Sequence, residues 1–195
     1  MPDEATIAHE VGHTALAYHQ IASLGSRLSC SIIFSHRDEK IGPTAINPIV
    51  VFQPDELIMR SLAGIVCQAI HYPASVDQNF RAMLLERSPF ETNESMRRGS
   101  DEALGMERHQ SQCDWAFIIE QSKVLIPDAR RRPNILKCIH SRLLQLMYEA
   151  WFHKLCRDMI DDIVLWLDED QEVAPLIATY PAARVARVFV RNPRP

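Results

Sequence analysis

Two histidines and a glutamate near the start of the chain, in the segment His9-Glu10-x-x-His13, have the types and spacing of a metal site. Residues four apart lie on one face of an α-helix, so both imidazoles can point at a single ion. Glu10 follows His9 by about a quarter turn, where its carboxylate can reach a water beside the ion. Imidazoles suit zinc, and such a carboxylate can accept a proton from zinc-bound water. The pattern is typical of a zinc peptidase.

The residues around this motif predict an amphipathic helix from about residue 3 to residue 24. Asp3 can cap its N-terminus, and Gly25 can end it. Apolar residues recur at helical spacing and form one stripe: Ile7, Val11, Ala15, Tyr18 and Ala22. Gly12 is unusual here because an interior glycine costs a helix about 1 kcal/mol relative to alanine. We therefore expect a second helix to pack closely against Gly12.

The second predicted helix opens at Pro54 and is apolar almost all round, which indicates a central, buried position. It contains the small pair Ala63-Gly64, which would let it approach the motif helix. His71 at its end is a possible metal ligand, although a histidine there more often satisfies terminal carbonyls. Between the two helices, residues 27–34 and 49–52 are predicted to form a small β-hairpin or sheet beside the motif helix.

A catalytic zinc site needs a third protein ligand and one open position for water. A third helix is predicted to start at Ser100 and to run to Leu125, which places Asp101 in its first turn. A carboxylate there can reach a metal ion while it faces the free N–H groups of the helix. Spacing alone favours a plain capping role for Asp101. A further long helical stretch is predicted from residue 135 to residue 167.

Composition restricts the class of protein. The 195 residues, 47% of them hydrophobic, are enough for one sizeable core, so residues 1–195 are expected to form a single, mainly α domain. A net charge of -4 gives no general attraction to nucleic acid. Five widely spaced cysteines without a C-x-x-C pair predict free thiols and a cytoplasmic location. No apolar run is long enough to predict a membrane span.

Four segments, in the same order, resemble the peptidase domain of the FtsH-type ATP-dependent zinc metalloproteases. Ala8–Ala15 resembles that family's His-Glu-x-x-His helix, and Lys40–Thr44 stands where the family has a loop after a strand. Leu62–Ile70 resembles its L-A-G-R-A-A-E-E-I helix, and Gly99–Gly105 resembles its G-A-x-N-D-L-x-x-A segment. The resemblance covers about residues 3–125. Residues 126–195 share only a helical, tryptophan-containing character and end in a tail.

This resemblance implies a helical zinc-metallopeptidase domain that hydrolyses peptide bonds in unfolded polypeptides. The aspartate of the family's last segment is its third zinc ligand, so the resemblance assigns His9, His13 and Asp101 to Zn²⁺ and Glu10 to catalysis. The segment is shortened in this chain, which leaves Glu102 and Glu107 as rival ligands. A polypeptide substrate, and a homo-oligomer or a partner ATPase, are the expected interactions.

The chain also departs from that family. Nothing in it matches the family's ATPase module, so the resemblance does not extend to nucleotide binding. Ile65, Gln68 and Ala69 stand where the family has charged residues. The alternative function is therefore a catalytically inactive interaction module that keeps the peptidase fold.

Overall fold

The structure is a computed structural model that describes the backbone of residues 4–22, 29–33, 45–47, 52–106, 114–168, 175–179 and 187–190. Helices dominate this part of the chain, as predicted: α1 (Glu4–Ala22), α2 (Pro54–His71), α3 (Gln78–Leu85), α4 (Asn93–Met106), α5 (Asp114–Leu125), α6 (Arg132–Tyr148) and α7 (Ala150–Asp168). None of the helices described combines the length and the apolar composition that crossing a bilayer requires.

Short strands are described by their backbone alone: β1 (Ser29–Ile33), β2 (Ala45–Asn47), β3 (Pro175–Thr179) and β4 (Arg187–Val190). Their order is β2-β1-β3-β4, and each neighbouring pair is antiparallel. Of the predicted strand 49–52, residues 49–51 lie outside the described residues and Phe52 is not in a strand. The hairpin beside the motif helix therefore stays a prediction.

The helix α1 contains the His-Glu-x-x-His motif, and α2 packs directly across it. Gly12 is a point of close approach, because a Cβ atom there would lie 2.3 Å from the carbonyl oxygen of Ala63 and 2.7 Å from Cβ of Cys67. The expected close contact between Gly12 and the second helix is confirmed. The proposed caps Asp3 and Gly25 lie outside the described residues, and α1 ends at Ala22.

A continuous apolar core surrounds this crossing. All faces of α2 contribute to it, since every residue from Ser61 to Ala69 is buried. The start of α2 is fixed by Pro54 at its first turn and by the backbone N–H of Gln53, which donates to the Glu56 carboxylate at 2.8 Å. The central position predicted for this helix is confirmed.

Two helix boundaries differ from the prediction. The expected helix from Ser100 to Leu125 is instead two helices, α4 and α5, with residues 107–113 between them outside the described part. The stretch 135–167 is likewise two helices, since Glu149 adopts an extended backbone between α6 and α7. At Glu149 good helix formers continue on both sides of the boundary, so the residue pattern does not reveal that α6 ends there.

Candidate metal centre

The two histidines of the motif converge with a carboxylate from α5. Nε2 of His9 and Nε2 of His13 each lie 2.9 Å from the same oxygen, Oδ2 of Asp114. Potential ligand atoms of His9, Glu10 and His13 also lie within 4.8 Å of one another. Helix α1 thus supplies three polar groups on one face, and the first residue of α5 supplies the fourth.

Helix α2 contacts the far side of both imidazoles. Nδ1 of His13 lies 2.8 Å from the backbone carbonyl oxygen of Arg60, and Nδ1 of His9 lies 3.2 Å from Oε1 of Gln68. A carbonyl oxygen only accepts hydrogen bonds, so Nδ1 of His13 must donate. When that imidazole is neutral, its Nε2 therefore carries a lone pair and points at the carboxylate of Asp114.

This arrangement calls for a cation. A lone pair on Nε2 and an ionised carboxylate oxygen at 2.9 Å are both acceptors, and two acceptors repel unless a proton or a metal ion lies between them. A metal ion satisfies Nε2 of His13, Nε2 of His9 and the oxygen of Asp114 together. Imidazole nitrogens and carboxylate oxygens, with the far side of each ring hydrogen-bonded, form a donor set that suits zinc.

The space beside the two Nε2 atoms exists because residue 64 has no side chain. A Cβ atom on Gly64 would lie 2.5 Å from Nε2 of His13 and 2.9 Å from Nε2 of His9. In tetrahedral zinc sites with bonds of about 2.1 Å, ligand atoms are about 3.4 Å apart. The 2.9 Å separations between each Nε2 and Oδ2 of Asp114 need to open by only a few tenths of an ångström, so the three residues fit a zinc ion.

The ionisation of these groups reflects the same geometry. Burial lowers the pKa of His13, but the charge and hydrogen bond of Asp114, with the charge of Glu10, outweigh burial and raise this pKa to about 9. Burial also raises the pKa of Asp114, yet the two histidines outweigh it and hold that pKa well below its usual range. In the absence of metal, a proton therefore takes the place of the cation.

Glu10 has the environment of a general base. Only 7% of its surface is exposed, and burial raises the pKa of its carboxyl above the usual value, while His13 and His9 oppose this shift. A raised pKa makes a carboxylate a better proton acceptor near neutral pH. The hydroxyl of Thr14 donates to the backbone carbonyl of Glu10 at 2.9 Å, and this bond does not involve the Glu10 carboxylate.

The structure does not bring Asp101 to this centre. It lies in the interior of α4, which begins at Asn93, and not in a first turn. Its side chain is 62% exposed and its carboxylate pairs with Arg97 at 3.0 Å. The structure therefore places Asp114, and not Asp101, beside the two histidines. Of the two rival ligands, Glu102 is also exposed in α4, and Glu107 lies outside the described residues.

The sequence does contain a signal for Asp114. This residue directly precedes the apolar run Trp115-Ala116-Phe117-Ile118-Ile119, and an aspartate immediately before such a run is a common helix start. The structure has a first-turn carboxylate at the start of α5, whereas Ser100 lies inside α4. The residue pattern misses this because it predicts one helix from Ser100 to Leu125, in which Asp114 is an interior residue.

His71 does not join the centre. Its ring packs against that of His153 with 4.8 Å between centroids, and it lines a cavity of about 220 Å³ together with Arg157 and Asp161. Burial and the neighbouring His153 lower the pKa of His71 to about 4. Among the described residues, the group of ligating side chains that converges is the one around His9 and His13.

Comparison of the chain with protein-family models, with characterised proteins and with solved structures finds no match.

Proposed function

We propose that this protein is a zinc-dependent metalloendopeptidase of the FtsH-like type that hydrolyses peptide bonds in unfolded polypeptides. The observation that carries the proposal is the convergence of His9, His13 and Asp114, with Glu10 beside them and an acceptor behind each imidazole. Three protein ligands and a neighbouring carboxylate are the composition of a catalytic zinc centre, which leaves a fourth position open.

Each residue has a separate task in this proposal. His9, His13 and Asp114 would hold the ion, and when bound a zinc ion supplies Lewis acidity that polarises the scissile carbonyl and activates water. Glu10 accepts one proton from the attacking water as its oxygen bonds to the carbonyl carbon. The carbon–nitrogen bond then breaks, and Glu10 passes the proton to the departing amine nitrogen.

A second candidate is a non-catalytic interaction module that keeps the metal for stability. The deep burial of the site favours it, since His9 is only 2% exposed and Glu10 only 7%. A metal bound by residues from α1 and α5 would cross-link two helices and stabilise the fold whether or not a substrate can reach Glu10.

The substitution Glu10→Gln separates the two candidates. Glutamine keeps the size and hydrogen-bonding reach of glutamate but cannot take up a proton at neutral pH. We expect zinc content and thermal stability to stay near those of the wild type, while cleavage of an unfolded protein such as casein falls about 10²–10⁴-fold. The matched control is Glu102→Gln, an exposed glutamate on α4.

Two outcomes would count against the peptidase. Equal cleavage by wild type and Glu10→Gln would mean that Glu10 is not the base and that the activity has another source. Zinc bound in both proteins, with no cleavage of any unfolded substrate by either, would favour the interaction module. Loss of cleavage with a chelator and its return on adding zinc is the companion result expected of the peptidase.

A further inference from the structure

We infer that Gln68 and Ser75 form a directional hydrogen-bond relay that fixes the tautomer of His9 and so prepares its Nε2 to bind the metal. The inference rests on the zinc centre proposed above and assigns positioning roles to two residues outside it. The relay runs from the turn after α2 (Pro73–Ser75) through Gln68 to the ring of His9.

The direction of the relay is set at its outer end. Oγ of Ser75 lies 2.7 Å from the backbone carbonyl oxygen of Tyr72, which only accepts hydrogen bonds. The single hydroxyl proton of Ser75 is therefore directed at Tyr72. Oγ can only accept from its other neighbour, Nε2 of Gln68, which lies 3.2 Å away.

That requirement orients the amide of Gln68. Its NH₂ group must face Ser75, because the opposite orientation would put the amide oxygen against a hydroxyl oxygen with no proton to give. The amide oxygen Oε1 consequently faces His9, 3.2 Å from Nδ1. Oε1 can only accept, so Nδ1 of His9 carries the proton, and the neutral ring has its lone pair on Nε2.

The two ligand histidines thus depend on different kinds of support. The backbone carbonyl of Arg60 fixes His13, and no substitution at residue 60 removes that acceptor. A side chain fixes His9, which is 2% exposed and so has little access to water as a substitute acceptor. Partners of this kind orient metal-bound histidines, and their loss typically lowers metal affinity about 10–100-fold. The centre should therefore be sensitive to residue 68.

The test is the zinc affinity of four variants, measured by competition with a chromophoric chelator. Gln68→Met keeps the length and approximate volume of the side chain but removes the acceptor, and its affinity should fall about 10–100-fold. Gln68→Glu restores an acceptor for Nδ1 and should bind zinc at least as tightly as the wild type. Gln145→Met, an exposed substitution on α6, is the matched control and should have no effect.

Ser75→Ala tests the direction of the relay at an exposed position, where folding is not threatened. It removes the partner that orients the amide, and a single hydrogen bond of about 0.5–1.5 kcal/mol corresponds to an affinity loss of about 2–10-fold. In ¹⁵N NMR of the metal-free wild type, the neutral ring of His9 should carry its proton on Nδ1. In metal-free Gln68→Met the neutral ring should be a mixture of the two tautomers.

Three results would overturn the relay. Wild-type affinity in Gln68→Met would show that the acceptor is not needed, and equal losses in Gln68→Met and Gln68→Glu would indicate a packing role only. Unchanged affinity in Ser75→Ala would remove the directional part. A wild-type protein that binds no zinc at all would instead refute the metal centre itself, which keeps the two failures distinguishable.

Discussion

Replacing Gly12 with alanine tests whether the crossing of α1 and α2 is as tight as the structure describes. Alanine should favour the isolated helix by about 1 kcal/mol. In the folded protein, however, the new Cβ would lie 2.3 Å from the carbonyl oxygen of Ala63 and 2.7 Å from Cβ of Cys67. A backbone oxygen cannot rotate away, so the two helices must move apart by about 1 Å to restore ordinary contact distances.

The expected net effect follows from these two opposing contributions. Overpacking a close-packed core costs about 1–3 kcal/mol, and contact with a backbone atom places Gly12→Ala near the upper limit. After the gain in helix propensity, the free energy of unfolding should fall by about 2 kcal/mol, which lowers Tm by roughly 4–8 °C for a chain of this size.

Denaturant unfolding, followed by circular dichroism with excess chelator present, measures this effect without a contribution from metal. The control is Ser141→Ala at an exposed position of α6, where the change touches only helix propensity. A Gly12→Ala protein as stable as the wild type, or more stable, would refute the close approach of α1 and α2. The positions of both histidines relative to Arg60 and Gln68 would then be in question.

Three further predictions concern single side chains. Asp114→Asn should weaken zinc binding at least about 10-fold because it removes a charged ligand, whereas Asp101→Asn should leave the zinc affinity unchanged. Both affinities are measured by competition with a chelator, and a larger loss in Asp101→Asn would favour Asp101 as the ligand. Gly64→Ala should abolish high-affinity zinc binding, since its Cβ would lie 2.5 Å from Nε2 of His13, and zinc retained at wild-type affinity would contradict this. Burial lowers the pKa of His140 to about 4 in the folded protein. Between pH 7 and pH 5 this histidine is therefore protonated mainly in the unfolded chain, which lowers the stability of the folded protein. The free energy of unfolding, measured with urea, should fall by about 2 kcal/mol more in the wild type than in His140→Leu over that pH range. Equal losses in the two proteins would refute this prediction.

The parts of the centre that lie on one helix could be predicted from sequence because helical geometry is local. A spacing of four residues alone places His9 and His13 on the same face, and the small residues at Gly12 and Ala63-Gly64 indicated where a second helix approaches. The contact between these helices is confirmed, and it accounts for an interior glycine that would otherwise only weaken α1.

The position of Asp114 beside the motif could not be predicted in this way, because a carboxylate about a hundred residues from the motif reaches the two histidines only through tertiary structure. Local rules predicted an acidic side chain at a helix start and assigned Asp101, whereas the structure places Asp114, the first residue of α5, beside the two histidines. The roles of Gln68 and Ser75 depend on the packing of α2 against α1 and on a turn after α2, which no periodicity in the sequence specifies.

The most direct test of the account is a crystal structure of the zinc-soaked protein with anomalous data collected on both sides of the zinc absorption edge. We predict one strong zinc peak bonded to Nε2 of His9, Nε2 of His13 and Oδ2 of Asp114 at about 2.0–2.2 Å, with Glu10 beside it but not bonded to it. No zinc peak near these residues, or a peak whose third protein ligand is a residue other than Asp114, would contradict the proposed centre.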